Sequence, residues 1–91
     1  MATLINVNGV KKTITPGNGK RFELEEAQKL VGGYIQIIYL DNGEVMILDE
    51  EGKLKGYPVN QTASFIALSR KAIHWTDYIV GDVVICKQNE I

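Results

Sequence analysis

Two residue types that build many small catalytic centres are nearly missing: the 91-residue chain has one cysteine, Cys86, and one histidine, His74. A lone cysteine excludes an intramolecular disulfide and fits a reducing compartment. One thiol and one imidazole also fall short of the ligand set a zinc site requires. Long apolar runs are absent as well, since no stretch approaches the ~20 residues that cross a bilayer. The opening segment MATLINVNGV has neither the basic start nor the apolar run of a signal peptide. These features predict a cytoplasmic protein with no membrane partner. Neither sign of charge dominates: ten Lys+Arg against eleven Asp+Glu leave a net charge of -1, which removes the broad electrostatic attraction that drives binding to genomic nucleic acid. A chain this short encloses one thin core with no room for an internal ligand chamber, so a sizeable ligand must sit on the surface or between subunits.

What is present reads as one α+β domain, residues 1–91, with a mostly antiparallel sheet of two hairpins plus a C-terminal strand and two short helices. Thr3 to Val7 and Val10 to Ile14 flank Asn8-Gly9 and predict a first hairpin. Pairing Val7 with Val10 would put Thr3, Ile5, Val7, Val10 and Ile14 on one face. Leu24, Ala27, Leu30 and Val31 recur at helical spacing behind the acidic Glu23, Glu25 and Glu26, and Gly32-Gly33 is the stop. The run from Tyr34 to Leu40 is too apolar for a strand wetted on one side, which predicts a central strand turned back by Asp41-Asn42-Gly43 into Val45 to Leu48. Leu54 is expected to pack inward from the loop that follows. Asn60 suits the cap of a second helix bearing Ala63, Phe65, Ile66, Ala67 and Leu68 and ending near Arg70-Lys71. A last strand spans Val83 to Cys86, with Tyr78 to Val80 read as another short strand before it. The helices are expected to one side of the sheet.

Catalytic readings find little to stand on. His74 has no nucleophile at motif spacing. Asp49-Glu50-Glu51 lacks the alternating oxygen ligands of a calcium loop. Gly17-Asn18-Gly19-Lys20-Arg21 lacks the GxxxxGK[ST] spacing of a phosphate loop. No enzyme, cofactor or metal is expected.

VGGYIQIIYLDNGEVMILDEEGKLKGYPVNQTAS followed by DYIVGDVVIC resembles a widespread group of small phage- and plasmid-borne proteins long catalogued as a domain of unknown function. The shared pattern runs VGGYIE, an acidic-Gly-Lys-Leu-Lys-Gly turn, a Pro-x-Asn-x-x-Ala helix start, and IVGD before the last strand. Gln36 departs from it, standing where such proteins often carry Glu. The resemblance implies a mobile-element setting and, by analogy with oligomeric phage sponges, an immune-evasion role: binding and sequestering a small nucleotide signal, a cyclic dinucleotide or ADP-ribose derivative, without cleaving it.

That analogy asks for π-faces, phosphate donors and side-chain amides or hydroxyls. Tyr34, Tyr57 and Trp75 can stack. Lys53, Lys55 and Arg70 can meet phosphate, and Asn60, Gln61 and Thr62 stand at a helix start where backbone N–H groups are free. A homo-oligomer such as a dimer of dimers would enclose a pocket that one core cannot. The competing expectation is a protein-interaction module that blocks a host protein through a sheet edge or the apolar run Phe65 to Leu68.

Overall fold

In the computed structural model, which describes residues 1–91, the chain runs β1 (Ala2–Ile5), β2 (Lys11–Ile14), α1 (Leu24–Val31), β3 (Ile35–Tyr39), β4 (Glu44–Asp49), α2 (Gln61–Ser69), β5 (Val83–Lys87) and a closing 3₁₀ turn (Gln88–Glu90). The sheet has five strands in the order β2-β1-β5-β4-β3, every pairing antiparallel. The last strand therefore lies between the two hairpins and ties them together. Val84 pairs with Leu4 on one side and with Ile47 on the other.

Val45, Met46, Ile47 and Leu48 are all buried, which a strand satisfies only if both faces are covered. They are covered by different helices. Val45, Ile47, Val84 and Cys86 pack with Phe22, Ala27 and Val31 of the α1 side. Met46, Leu48, Val83 and Ile5 pack with Ala63 and Ala67 of α2. Alternation of side chains along β4 and β5 puts these groups on opposite faces of the sheet. The expectation of both helices on one side is thus corrected to one helix per face, because β4 and β5 are apolar at consecutive positions.

The same topology corrects the place of β3. Its apolar run belongs to an edge strand, with Ile35 and Ile37 half-buried towards α1, Ile38 half-buried towards α2, and Tyr34, Gln36 and Tyr39 exposed. The first hairpin also differs in register. Ile5 pairs with Lys11 and Ala2 with Ile14, because the turn forms from Asn6 to Gly9, with the Gly9 N–H donating to Asn6 O at 2.9 Å and Gly9 at φ +82°. The Asn6 carboxamide oxygen accepts from Asn8 N–H and Val10 N–H, which fixes the chain one residue away from the expected Val7–Val10 pairing. Ile5 and Ile14 consequently face opposite sides. Leu54 does not pack inward and is 85% exposed. Tyr78 to Val80 contributes only an isolated bridge between Val80 and Val59.

The helix limits follow the local chemistry. Gly32 closes α1 in the left-handed conformation with its N–H on Gln28 O at 2.8 Å. Asn60 opens α2, its Oδ1 accepting the Ala63 N–H at 3.0 Å. No helix is long and apolar enough to cross a membrane.

Candidate functional site

Four segments far apart in sequence meet where α1 ends and β4 leaves the sheet. They are Val31 to Gly33, the loop from Glu50 to Asn60, Ile79 to Asp82 and, from the first turn, Val7. Tyr57 is at their centre. Side chains built on the surrounding glycines would collide with it: a methyl on Gly81 would lie 2.6 Å from Tyr57 Cδ2, and one on Gly32 would lie 2.7 Å from its hydroxyl oxygen. The Gly81 N–H donates to Pro58 O at 3.0 Å, and the Val7 N–H donates to Asp82 Oδ1 at 3.1 Å. Between these segments runs an open groove of about 350 Å³ lined by Val7, Lys29, Leu30, Val31, Gly32, Tyr57, Pro58, Gly81 and Asp82.

Behind one wall of the groove is an ion pair with one buried and one exposed partner. The Asp49 side chain, 1% exposed, holds Lys55 Nζ at 2.8 Å. It also accepts the Glu51 N–H at 2.8 Å. Burial alone would raise the Asp49 carboxyl, but Lys55, the Glu51 amide and the Tyr57 hydroxyl outweigh it and hold the group below its ordinary value. The Lys55 ammonium is in turn raised by its bond to Asp49. Lys55 also donates to Gly32 O at 3.2 Å, so one cation ties the 50–57 loop to the carbonyl end of α1, where positive charge is favourable. In the sequence Asp49 stands out only as the first residue of the acidic run Asp49-Glu50-Glu51. Its position two residues beyond Ile47, on the same strand face, was the available signal that it points inward.

The residues proposed from sequence do not form one site. Tyr57 lines the groove, and Lys55 lies behind it with Nζ 5.7 Å from the Tyr57 ring centroid. Lys53 is engaged elsewhere, in an ion pair with Asp77 and 4.2 Å from the Tyr78 ring centroid. Arg70 lies at the opposite end of β4, where it binds Asp41 and also Glu44 Oε1 at 2.8 Å. The two ends of that strand are about 17 Å apart at the usual rise per residue. Asn60 is fully buried and its side chain is spent: Nδ2 donates to Ile5 O at 3.0 Å and to Gly81 O at 2.8 Å, while Oδ1 caps α2. It is a structural bracket and has no group left for a ligand. Gln61 and Thr62 border a separate shallow cleft with Val7, Asn8, Gly9 and Val59. Tyr34 is 67% exposed at the start of β3. Trp75, 80% exposed, stacks on His74 with centroids 5.7 Å apart. His74 Nδ1 meets the Thr76 hydroxyl at 2.7 Å and accepts the Thr76 N–H at 3.3 Å. Cys86 is buried in the α1-side core, and that burial pushes its thiol up to about 11, so it packs as an apolar group.

Sequence reading missed Lys29 and Asp82, which flank the groove. Lys29 lies in the last turn of α1 and makes no ion pair. Nothing in the local sequence brings it near Tyr57; only the meeting of α1 with the loop does.

The fold and groove define a three-layer domain with one helix on each face of an antiparallel sheet and a small open cleft at one end. The family described as Domain of unknown function (DUF3846) matches residues 4–90, and the chain belongs to it. No curated protein and no solved structure matches the chain.

Proposed function

We propose that this is a binding protein that captures a small nucleotide-type ligand in the groove beside Tyr57 and holds it intact. The observation that carries the reading is the convergence of the segments VGG, EEGKLKGYPVN and IVGD on one groove, whose volume falls within the ~300–1,000 Å³ typical of small-molecule sites. Its walls offer apolar surface from Val7, Leu30, Val31 and Pro58, the Tyr57 ring, a free cation in Lys29 and a hydroxyl acceptor in Asp82. Those are the partners a base, a phosphate and a ribose require. Relative to the residues chosen from sequence, the ligand set moves to Lys29, Tyr57 and Asp82 with Lys55 behind them. Lys53 and Arg70 drop out because carboxylates already neutralise them, and Asn60 because its bonds are complete. Tyr57, Lys29 and Asp82 are the ionisable side chains on the walls, and none of them sits beside an activated nucleophile, so the reading is retention without turnover.

In the mobile-element setting that the sequence resemblance implies, retention in a bacterial cytoplasm would keep an immune nucleotide from its receptor. Because the groove is open on one side, a homo-oligomer, up to a dimer of dimers, would supply the missing wall. The test is a thermal-shift titration against cyclic dinucleotides and ADP-ribose derivatives, followed by heat release and chromatography. A ligand at 100 times its dissociation constant adds about 2.7 kcal/mol, and it should be recovered uncleaved. Lys29→Ala, an exposed change, should weaken binding and flatten its salt dependence. A panel without shifts overturns the reading; a cleaved product moves the protein to the enzyme class.

A second reading, a protein-interaction module, is favoured by α2. That helix is apolar on its outer side too, with Phe65 71% exposed, and an exposed apolar helix face is a common docking surface. Phe65→Glu would then abolish capture of a host protein while leaving the nucleotide titration unchanged.

A further inference from the structure

The two edges of the sheet are unlike. β2 carries exposed Lys11 and Lys12, the charge that commonly keeps a strand edge from pairing with another chain. β3 carries none: from Gly32 to Leu40 no residue is charged and none is proline. Such an edge is an open template for another strand.

Its backbone groups can be assigned. Tyr34 O accepts from Glu50 N–H at 2.8 Å and the Leu40 N–H donates to Glu44 O at 2.9 Å. Tyr34 and Leu40 therefore point their backbone groups at β4. By the alternation of antiparallel ladders, Ile35, Ile37 and Tyr39 point theirs at the free edge.

We propose that β3 pairs antiparallel with β3 of a second copy, centred on Ile37, to form a continuous sheet across a two-fold axis. The sequence Tyr34-Ile35-Gln36-Ile37-Ile38-Tyr39-Leu40 is nearly self-complementary about that centre. Ile37 meets Ile37 of the partner subunit, Ile35 meets the partner's Tyr39, Gln36 meets the partner's Ile38, and Tyr34 meets the partner's Leu40. Tyr34 and Tyr39, 67% and 61% exposed in one chain, each lie opposite an aliphatic side chain, the aromatic–aliphatic pairing that stabilises ladders. All outward N–H and C=O groups of Ile35, Ile37 and Tyr39 find partners in this register. No like charges come opposite each other, because the nearest acid, Asp41, is already bound by Arg70 and falls beside the partner's Gly33. Leu54 and Tyr78, both exposed, flank β3 beside Gln36 and Ile38 around a small pocket of about 140 Å³, adding apolar surface next to the seam. A symmetric contact of this kind is isologous and closes at two copies. A second copy of this chain supplies the match by its own sequence, and the self-pairing stands whether or not the groove holds a nucleotide.

The test is sedimentation and amide exchange on the purified chain without ligand. The wild type should sediment as two chains at micromolar concentration. The amides of Ile35, Ile37 and Tyr39 should be protected, and that protection should fall on dilution, while the amides of β2 that face away from β1 stay exchangeable. Ile37→Pro removes an outward N–H that no group in its own chain uses and should give a folded monomer. Tyr39→Lys changes only an exposed side chain and should shift the equilibrium to monomer, deciding the matter if the proline variant fails to fold. A wild-type monomer overturns the proposal, as does a dimer that survives Tyr39→Lys with unprotected Ile35 and Ile37 amides.

Discussion

A methyl group on Gly81 would lie 2.6 Å from Cδ2 of Tyr57, so the ring occupies the volume in which any other residue at position 81 would carry its side chain. Gly81 also has φ +77°, the left-handed region that disfavours a Cβ. Two penalties are superimposed at one residue, and only one of them depends on Tyr57. The contact joins the loop after α2 to the loop after β4, and it forms one wall of the candidate groove.

The two penalties can be separated by a double-mutant cycle. Gly81→Ala should cost about 2–4 kcal/mol, from steric overlap and backbone strain together. With Tyr57 already truncated to alanine, the same change should cost only the backbone part, about 1–2 kcal/mol. Chemical denaturation of the four proteins gives the coupling directly. Additive effects would mean that the ring does not fill the space above Gly81.

The Asp49–Lys55 pair is lopsided in burial, and mutations should expose the asymmetry. Lys55→Met strands a carboxylate in the α1-side core, whereas Asp49→Asn leaves a neutral amide that still accepts the Glu51 N–H and frees an exposed ammonium to water. Lys55→Met should therefore melt at the lower temperature, although it replaces the more exposed partner. Equal melting temperatures would show that water reaches Asp49.

The same pair sets an acid limit. Asp49 is held below its ordinary value by its partners against the opposing effect of burial, and Asp77 is lowered by Lys53 and the Tyr78 N–H. A carboxyl whose folded value is depressed contributes stability that is complete above its unfolded value, near 4, and is lost as pH falls through the folded value. Melting temperature should therefore hold from neutrality down to about pH 5 and fall below about pH 4. Asp49→Asn should flatten that fall.

Much of the fold was legible because local signals agreed with it. The acidic first turn of α1 and Gly32 bounded one helix, and Asn60 and Arg70 bounded the other. What misled was the apolar run at Tyr34 to Leu40. Hydrophobicity along a strand reports that its faces are covered, but an edge strand lying under two helices has covered faces too. Which strand is central depends on where β5 inserts, a long-range event with no local mark. The candidate site was half legible for a similar reason. Lys55 and Tyr57 were found through their loop, but Lys29, Asp82 and the buried state of Asp49 arise only when α1, the loop and the β5 entry meet. Arg70 looked free because it closes α2, whereas Asp41 and Glu44, its partners, lie in the β3–β4 hairpin.

The corrected strand order makes a prediction of its own. Ile47→Asp puts a charge in the centre of the sheet and should prevent folding, since an unpaired buried carboxylate costs several kcal/mol against a total of about 5–15. Ile37→Asp, on the half-buried edge strand, should be the milder change. Circular dichroism melts of the two variants decide the order, and a more stable Ile47→Asp protein would refute the placement of β3 at the edge.

Asn60 offers the sharpest contrast between a local rule and the tertiary structure. As a helix cap, Asp ranks with Asn, so a reading of α2 alone predicts that Asn60→Asp is harmless. The buried Nδ2, however, donates to Ile5 O and Gly81 O, and a carboxylate there would present negative oxygen to two carbonyl oxygens with no donor between them. Asn60→Ala should cost about 2–4 kcal/mol, for the lost cap and the lost donors. Asn60→Asp should cost at least as much at pH 7 despite keeping the cap acceptor. Because the environment favours the protonated acid, the folded value of the new carboxyl is raised, and the penalty relative to wild type should shrink as pH falls towards that value. Denaturation of wild type and both variants at pH 7 and pH 5 checks this, and an Asn60→Asp protein as stable as wild type at pH 7 would mean that the bracket to β1 and Gly81 does not form.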